Sequence, residues 1–349
     1  MRVNQNISSQ NELYYIQRAR TQMDKLGEQL ASGQRVNRPS DDPVAARLLL
    51  GLADRLSSSD QYSSNISKAD TWFQMANTAL TTMSGALLDI RSKVSTIGGG
   101  MSTEQDRNNA ISYLEMMKKT LVDVGNTDIN GVYIFAGTNN LKPPFAERTG
   151  NITAGSTVIS NVTGDVSTFV AGMEFSGPGI AAGTKLADPP INAGSPPSLN
   201  ITVAATATNT GVGFSVYGGN ASDISVEINK SVSEAINIPG DQILMANGGG
   251  PYGSVDILGA IDQLIIDLKS NNVSGISNGV KALDKGYAQV NSAQTEIQTR
   301  MVRFDTAEKM HKSINNTVKT VMGNEQAVDY AQLAVELQLQ QTAYQATLS

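Results

Sequence analysis

An apolar repeat at both ends of the chain is the feature that most limits its fold. Near the N-terminus the repeat advances in alternating steps of three and four through Ile16, Ala19, Met23, Leu26 and Leu30. Near the C-terminus a similar spacing runs through Tyr330, Leu333, Leu337, Tyr344 and Leu348. These spacings predict amphipathic helices. Because short helices are marginally stable alone in water, we expect the two ends of the chain to pack on each other.

Glycine, proline and capping residues predict where the helices begin and end. Gly33 is expected to end the first helix. Asp42 is expected to cap a second helix that begins at Pro43, since the residue before proline resists the α conformation. The pair Ser102 and Gln105 fits a capping box for a third helix. Gly323-Asn324 is expected to separate the last helix from the one before it.

The middle of the chain has a different character. Between Thr149 and Ser222 it has four charged residues, and Ser, Thr, Asn, Gly and Val dominate. Short alternating runs such as Leu199–Val203 predict a small all-β domain. Ahead of this region, Asn130-Gly131 predicts a tight turn followed by a strand over Val132–Gly137.

These patterns together predict an α+β fold. Its main body is a long antiparallel, coiled-coil-like helical bundle made from both chain ends, with an inserted mainly-β outer domain. We expect three parts. Residues 1–42 and 324–349 supply the terminal helices, residues 43–140 and 251–323 form the bundle core with a short hairpin, and residues 141–250 form the β insertion.

Composition excludes several classes of chemistry. The chain has no cysteine and one histidine, His311, which argues against disulfide scaffolds, thiol catalysis, iron–sulfur clusters and nearly all zinc sites. Its 26 Lys and Arg against 32 Asp and Glu give a net charge of −6, which argues against a nucleic-acid partner. No apolar run is long enough for membrane insertion, and no secretory signal is recognisable.

No residue pattern predicts catalysis, a cofactor or a metal site. His311 falls within a helical period and is interpreted as an ordinary helix residue, because no nucleophile or carboxylate is marked beside it. The pair Asp41-Asp42 is explained by capping and by the helix dipole. We therefore predict that the chain is not an enzyme.

The terminal helices point instead to assembly. Each is a separate amphipathic piece whose Leu and Met side chains would be buried by pairing with each other or with a neighbouring subunit. The predicted assembly interface consists of Ile16, Met23, Leu26, Leu30, Leu333, Leu337 and Tyr344.

Three segments resemble the bacterial flagellin superfamily. The run Leu26–Pro43 is similar to the family's N-terminal motif, and its Pro39-Ser40-Asp41-Asp42-Pro43 form is similar to the branch that joins hook and filament. Asn130–Thr138 resembles that branch's hairpin, and Ala331–Ala346 resembles the family's C-terminal helix. Family members usually continue past Ala346 into an apolar tail, whereas this sequence ends at Ser349.

The resemblance implies a structural subunit of the bacterial flagellum that joins hook to filament and presents a flagellin-like surface for filament growth. It implies an inner layer made of both chain ends. The implied partners are other copies of the chain in a ring, a neighbouring hook-associated junction protein, flagellin and an export chaperone. It also implies an extracellular location, reached by type III export without a cleaved signal peptide.

Two alternatives remain open at this point. One is flagellin itself, the bulk filament subunit, although flagellins more often have Asp-Asp-Ala where this chain has Asp41-Asp42-Pro43. The other is a surface role in which the β domain binds glycans or hydrolyses a substrate. Its scarcity of charged side chains leaves few acid–base candidates for hydrolysis.

Overall fold

A computed structural model describes residues 2–97, 102–181, 183–192, 194, 196–245 and 250–348. Helices dominate both ends of the chain, as predicted. They are α1 (Arg2–Ser32), α2 (Pro43–Ile97), α3 (Glu104–Gly125), α4 (Ile257–Lys269), α5 (Val273–Gln326) and α6 (Tyr330–Leu348). The α+β fold with an inserted antiparallel-sheet region is therefore confirmed.

Strands occupy the middle of the chain. They are β1 (Asp128–Ile129), β2 (Val132–Tyr133), β3 (Phe145–Ile152), β4 (Val158–Ile159), β5 (Glu174–Ser176), β6 (Leu186–Asn192), β7 (Ser198–Ile201), β8 (Asn209–Tyr217), β9 (Ser225–Asn229) and β10 (Val232–Ala235). All the described pairings between them are antiparallel. Two sheets have three strands, in the orders β3-β8-β5 and β4-β7-β6, and two are hairpins, β1-β2 and β9-β10.

The chain divides into two compact units. The terminal unit comprises Met1–Ser64 and Glu308–Ser349, and the central unit comprises Asn65–Ala307. All of β3–β10 lies within the predicted insertion, residues 141–250. The division into three domains stays a prediction.

The central unit has an apolar core built from α2–α5. Phe73 of α2 meets Phe304 of α5 edge to face, with ring centroids 4.9 Å apart. Such aromatic pairs add to the stability gained from burial alone. Within the same core, Gln289 is buried and donates from Nε2 to the carbonyls of Ile243 (2.7 Å) and Val255 (3.0 Å). A long polar side chain thus satisfies backbone groups of the segment that leads into α4.

The β3-β8-β5 sheet has two different faces. On one face, Phe214 of β8 stacks on Phe175 of β5 at 4.7 Å and lies in the core of the β region. On the other face, Gly213 lies against Asp262 of α4, and Glu147 of β3 reaches Lys118 of α3. The second face therefore carries the contact between the sheet and the helices of the central unit.

Two of the predicted helix boundaries are wrong. The capping box of α3 is formed by Thr103 and Asp106, one position beyond the predicted Ser102 and Gln105. Thr103 Oγ1 accepts from the Asp106 amide, and Asp106 Oδ2 accepts from the Thr103 amide at 3.0 Å. The shorter aspartate side chain completes the reciprocal pair in the role expected for a Gln or Glu.

The break before α6 also lies later than predicted. Gly323-Asn324 is part of α5, because an interior glycine weakens a helix by only about 1 kcal/mol and does not by itself end it. The chain leaves the helix after Gln326, where Ala327 forms an antiparallel bridge with Gln34. Asp329 then starts α6 by accepting from the amides of the residues two and three positions further on.

The turn at Asn130-Gly131 is present, with φ values of 54° and 83°. However, the strand that follows is only Val132–Tyr133 and does not reach Gly137. After Tyr133 the backbone forms hydrogen bonds with irregular segments. For example, the Phe135 carbonyl accepts from the Gly240 amide at 2.7 Å. Backbone groups used in this way are not available for a longer ladder.

Candidate assembly surface

Helices α1 and α6 pack on each other in the terminal unit. Leu26 of α1 and Leu333 of α6 are buried in the terminal unit. Ile16, Met23, Leu337 and Tyr344 are half-buried, whereas Leu30 is 37% exposed. Six of the seven predicted interface residues are thus at least half-buried within one chain. Their role in contacts between subunits stays a prediction.

A second apolar stripe lies on the opposite side of α6. Leu333 and Leu337 mark one side of the helix at a spacing of four, and Val335 and Leu339 repeat that spacing about half a turn away. Val335 is 58% and Leu339 64% exposed. A helix that is apolar on two sides normally has both sides covered.

Helix α1 also exposes large apolar side chains. Leu13 and Tyr14 are 58% and 59% exposed, and Tyr15 is 60% exposed. The rings of Tyr14 and Tyr15 meet edge to face with centroids 5.9 Å apart. Within the part of the chain that the structure describes, these side chains and the second stripe of α6 remain open to solvent.

The segment between α1 and α2 is held by the two aspartates of the family-like motif. Pro39, Ser40 and Asp41 form a turn, and Pro43 is the first residue of α2. Asp41 Oδ2 accepts from the amides of Asn37 (3.2 Å) and Arg38 (2.9 Å). The turn is thus fixed from within by one carboxylate.

Asp42 caps the second helix. Its Oδ1 accepts from the amides of Val44 (3.1 Å) and Ala45 (3.0 Å), and α2 follows directly. The bond from the Ala45 amide is the main reason why the pKa of Asp42 is lowered from its ordinary value. Asp42 therefore stays ionised and satisfies amide groups that the helix itself cannot pair.

Cations around the motif join it to three helices. Lys25 Nζ of α1 lies 3.0 Å from Asp41 Oδ1 and is the main cause of the lowered pKa of Asp41. Arg35 lies 2.9 Å from Asp42 Oδ2 and 3.6 Å from Glu325 of α5. The Arg35 amide also donates to the Gln326 carbonyl at 2.8 Å. Arg35 therefore bridges the two segments that connect the terminal helices to α2 and α5.

Sequence reasoning found the aspartates but missed Lys25, Arg35 and Glu325. The available signal was the presence of basic residues before an acidic pair. Neither the 16-residue separation of Lys25 from Asp41 nor the distant Glu325 follows from a local pattern. His311, interpreted as an ordinary helix residue, lies in α5 and is buried, with its Nδ1 3.0 Å from Ser59 Oγ.

Metal sites and membrane-spanning helices are both absent from the described residues. The described residues contain no group of three or more His, Cys, Asp or Glu placed to hold a metal ion. Among the same residues, we find no helix with the length and apolar character needed to cross a bilayer.

Comparison with known proteins supports the resemblance to flagellar proteins. Residues 3–140 match the family described as the bacterial flagellin N-terminal helical region. Flagellar hook-associated protein 3 of Salmonella typhimurium is 28% identical over 173 residues, which cover 49% of this chain and 55% of that protein. The match therefore spans about half the length of this curated relative.

Two further proteins match most of the chain. Flagellin of Listeria monocytogenes is 24% identical over 317 residues, which cover 91% of this chain and 96% of that protein. A structure described as a flagellar hook-associated protein of Vibrio parahaemolyticus aligns with a TM-score of 0.56 at 23% identity, covering 82% of this chain and all of that one. At that identity, the structural match establishes a shared fold.

These matches confirm one expectation from the sequence directly. The N-terminal resemblance rested on the run Leu26–Pro43, which lies inside the matched residues 3–140. Residues 3–140 are thus similar to the bacterial flagellin N-terminal helical region, and the resemblance of the chain to the flagellin superfamily, and within it to hook-associated protein 3, is confirmed.

Proposed function

We propose that the chain is a structural subunit of the bacterial flagellum that joins the hook to the filament. In this role it presents a flagellin-like surface on which the filament grows, and it performs no catalysis. It acts outside the cell at the hook–filament junction, after export without a cleaved signal peptide. Its partners are copies of itself in a ring, a neighbouring hook-associated junction protein and flagellin, with an export chaperone before secretion.

The proposal rests mainly on the apolar surface of the α1–α6 pair. Val335, Leu339, Leu13 and Tyr14 remain more than half exposed although the two helices already pack on each other. Burying a large apolar side chain is worth about 1.5–3 kcal/mol. A set of such residues on paired helices is a surface suited to contacts between subunits.

Charge and hydrogen bonding at the connector support the same role. Asp41, Asp42 and Arg35 hold the turn between α1 and α2 through bonds of 2.9–3.2 Å. An interface formed by two helices is favoured when their orientations are already fixed in the free chain. Association is weaker when the interacting surfaces must first be ordered.

Flagellin is the second candidate, and one observation favours it. The Listeria flagellin matches 91% of the chain, whereas the Salmonella hook-associated protein matches 49%. The identity is higher with the hook-associated protein, at 28% against 24%. The Asp42-Pro43 pair and the resemblance of Asn130–Thr138 to the hairpin of the junction branch also favour the junction role.

Deletion of the gene in its own bacterium separates the two candidates. If the chain joins hook and filament, the mutant keeps its hooks, lacks filaments and releases unpolymerised flagellin into the medium. Expression of the full chain should restore filaments. Loss of the filament protein itself would favour the flagellin role, and normal filaments in the mutant would contradict both.

A further inference from the structure

One basic and two acidic side chains meet inside the central unit. Lys118 of α3 places its Nζ 2.8 Å from Oδ1 and 2.7 Å from Oδ2 of Asp262 in α4. The same Nζ lies 3.1 Å from Oε1 of Glu147 in β3. The side chains of Lys118 and Asp262 are each only 6% exposed, whereas that of Glu147 is 30% exposed. The amine of Lys118 thus contacts two carboxyl groups directly.

The backbone of β8 closes one side of this triad. A Cβ atom added to Gly213 would lie 3.1 Å from Asp262 Oδ1 and 3.4 Å from Lys118 Nζ. A cavity of about 450 Å³ adjoins the triad, and its lining includes the three residues together with Gly213 and Ile265. The pair is therefore shielded, while a small product such as water has a route away from it.

Burial acts against both charges of the pair. Desolvation raises the pKa of Asp262 to about 7. Desolvation also disfavours the ammonium form of Lys118, but the attraction of Asp262 and Glu147 outweighs it and leaves the pKa of Lys118 raised. The balance at Lys118 therefore favours its ammonium form. Transfer of one proton from Nζ to Asp262 gives the neutral amine and acid, and a shielded site favours that neutral pair relative to water.

We propose that Lys118 and Asp262 join in an isopeptide bond, an amide between Nζ and Cγ, after the chain has folded. The neutral amine attacks Cγ of the carboxylic acid. Glu147 takes a proton from the attacking nitrogen and passes it to the departing hydroxyl group, so that the C–O bond breaks and water leaves. The sum is one ammonium and one carboxylate converted to one amide and one water, with no oxidant, reductant or activated co-substrate.

The close contact between the two groups lowers the barrier to the reaction. Contacts of 2.7–2.8 Å from Nζ to the two carboxyl oxygens hold the amine beside the Asp262 carboxyl group, so the reaction lacks the entropic cost of bringing separate molecules together. Glu147 is placed to carry the proton, because its Oε1 contacts the reacting nitrogen. The bond would tie α3 to α4 across 144 positions of the chain. This inference does not depend on the proposed flagellar role.

Intact-mass spectrometry of the folded, full-length chain tests the inference. The wild type should be lighter than its sequence mass by one water molecule. A protease digest should contain one cross-linked peptide pair that includes positions 118 and 262. Material kept in denaturant from the time of synthesis should have the full mass, because the reaction depends on the folded contact.

Three variants separate a bond from a simple ion pair. Lys118→Arg retains the positive charge but should keep the full mass. Asp262→Asn should lose ammonia in place of water, and Glu147→Gln should slow the mass loss by at least about a hundredfold. Circular dichroism confirms that each variant is folded. A folded wild type at its full sequence mass, with no cross-linked peptide, would overturn the inference.

Discussion

Placing a charge on the outer stripe of α6 tests whether this surface makes contacts between subunits. Leu339 is 64% exposed, so the folded chain itself gains little from its burial. Covering that exposed part in an assembly is worth about 1–2 kcal/mol, taken as the exposed share of a fully buried leucine. A carboxylate left unpaired in the same contact costs roughly several kcal/mol more.

Leu339→Asp should therefore weaken each contact by at least about 3 kcal/mol, or about a hundredfold in the association constant. The assay is incorporation of the variant into isolated flagella in a strain that lacks the wild-type gene, together with swimming motility. The free variant should unfold at the same temperature as the wild type, since Leu339 contributes little to packing within one chain.

A matched control places the same charge beside the stripe. Gln338 is an exposed polar neighbour on α6, and Gln338→Asp should incorporate normally. Equal incorporation of Leu339→Asp and Gln338→Asp would refute the reasoning, because the outer stripe would then make no contact that excludes water. Failure of both variants would indicate that α6 responds to added charge in general, which would also count against a specific role for the stripe.

Three other changes test the helix packing, the helix capping and the pH dependence of stability within one chain. Leu26→Ala should weaken the α1–α6 pair by about 2 kcal/mol, seen as faster amide exchange in α1, while exchange in α3 is unchanged; uniform exchange rates across the chain would contradict this. Thr103→Ala removes the cap of α3 and should cost about 0.5–2 kcal/mol in chemical denaturation, and an unchanged midpoint would argue against the capping box. Asp256 is half-buried, accepts from Ser176 Oγ at 2.5 Å, and has its pKa raised by desolvation from 3.8 to about 6. Because the folded state then holds the proton more tightly, its contribution to stability is complete below about pH 4, and about 3 kcal/mol is lost as the pH rises past about 6. Asp256→Asn should flatten this part of the stability profile, and an unaltered pH dependence of unfolding would refute the assignment.

Local patterns were sufficient for most of the helical framework. Gly33 and Pro43 mark the two sides of the first connector because φ of 68° favours glycine and the first helical turn tolerates proline. The same logic failed at Gly323, where the surrounding helix tolerates a glycine. The end of α5 depends on the bridge between Ala327 and Gln34, which no local pattern reveals.

The sequence predicted one apolar side of α6 but not the other. A helical repeat identifies the most regular apolar stripe, and on α6 that stripe packs on α1. Val335 and Leu339 form a shorter stripe that stands out only when the exposure of both sides is known. The contact of Lys118 with Asp262 was missed for a different reason, since only the fold brings together residues so distant in the chain.

Immunogold labelling of isolated flagella with an antibody against this chain tests the central claim most directly. A subunit that joins hook and filament should give one narrow band of label at the hook–filament boundary. Label spread along the whole filament, or no label on the flagellum, would contradict the account.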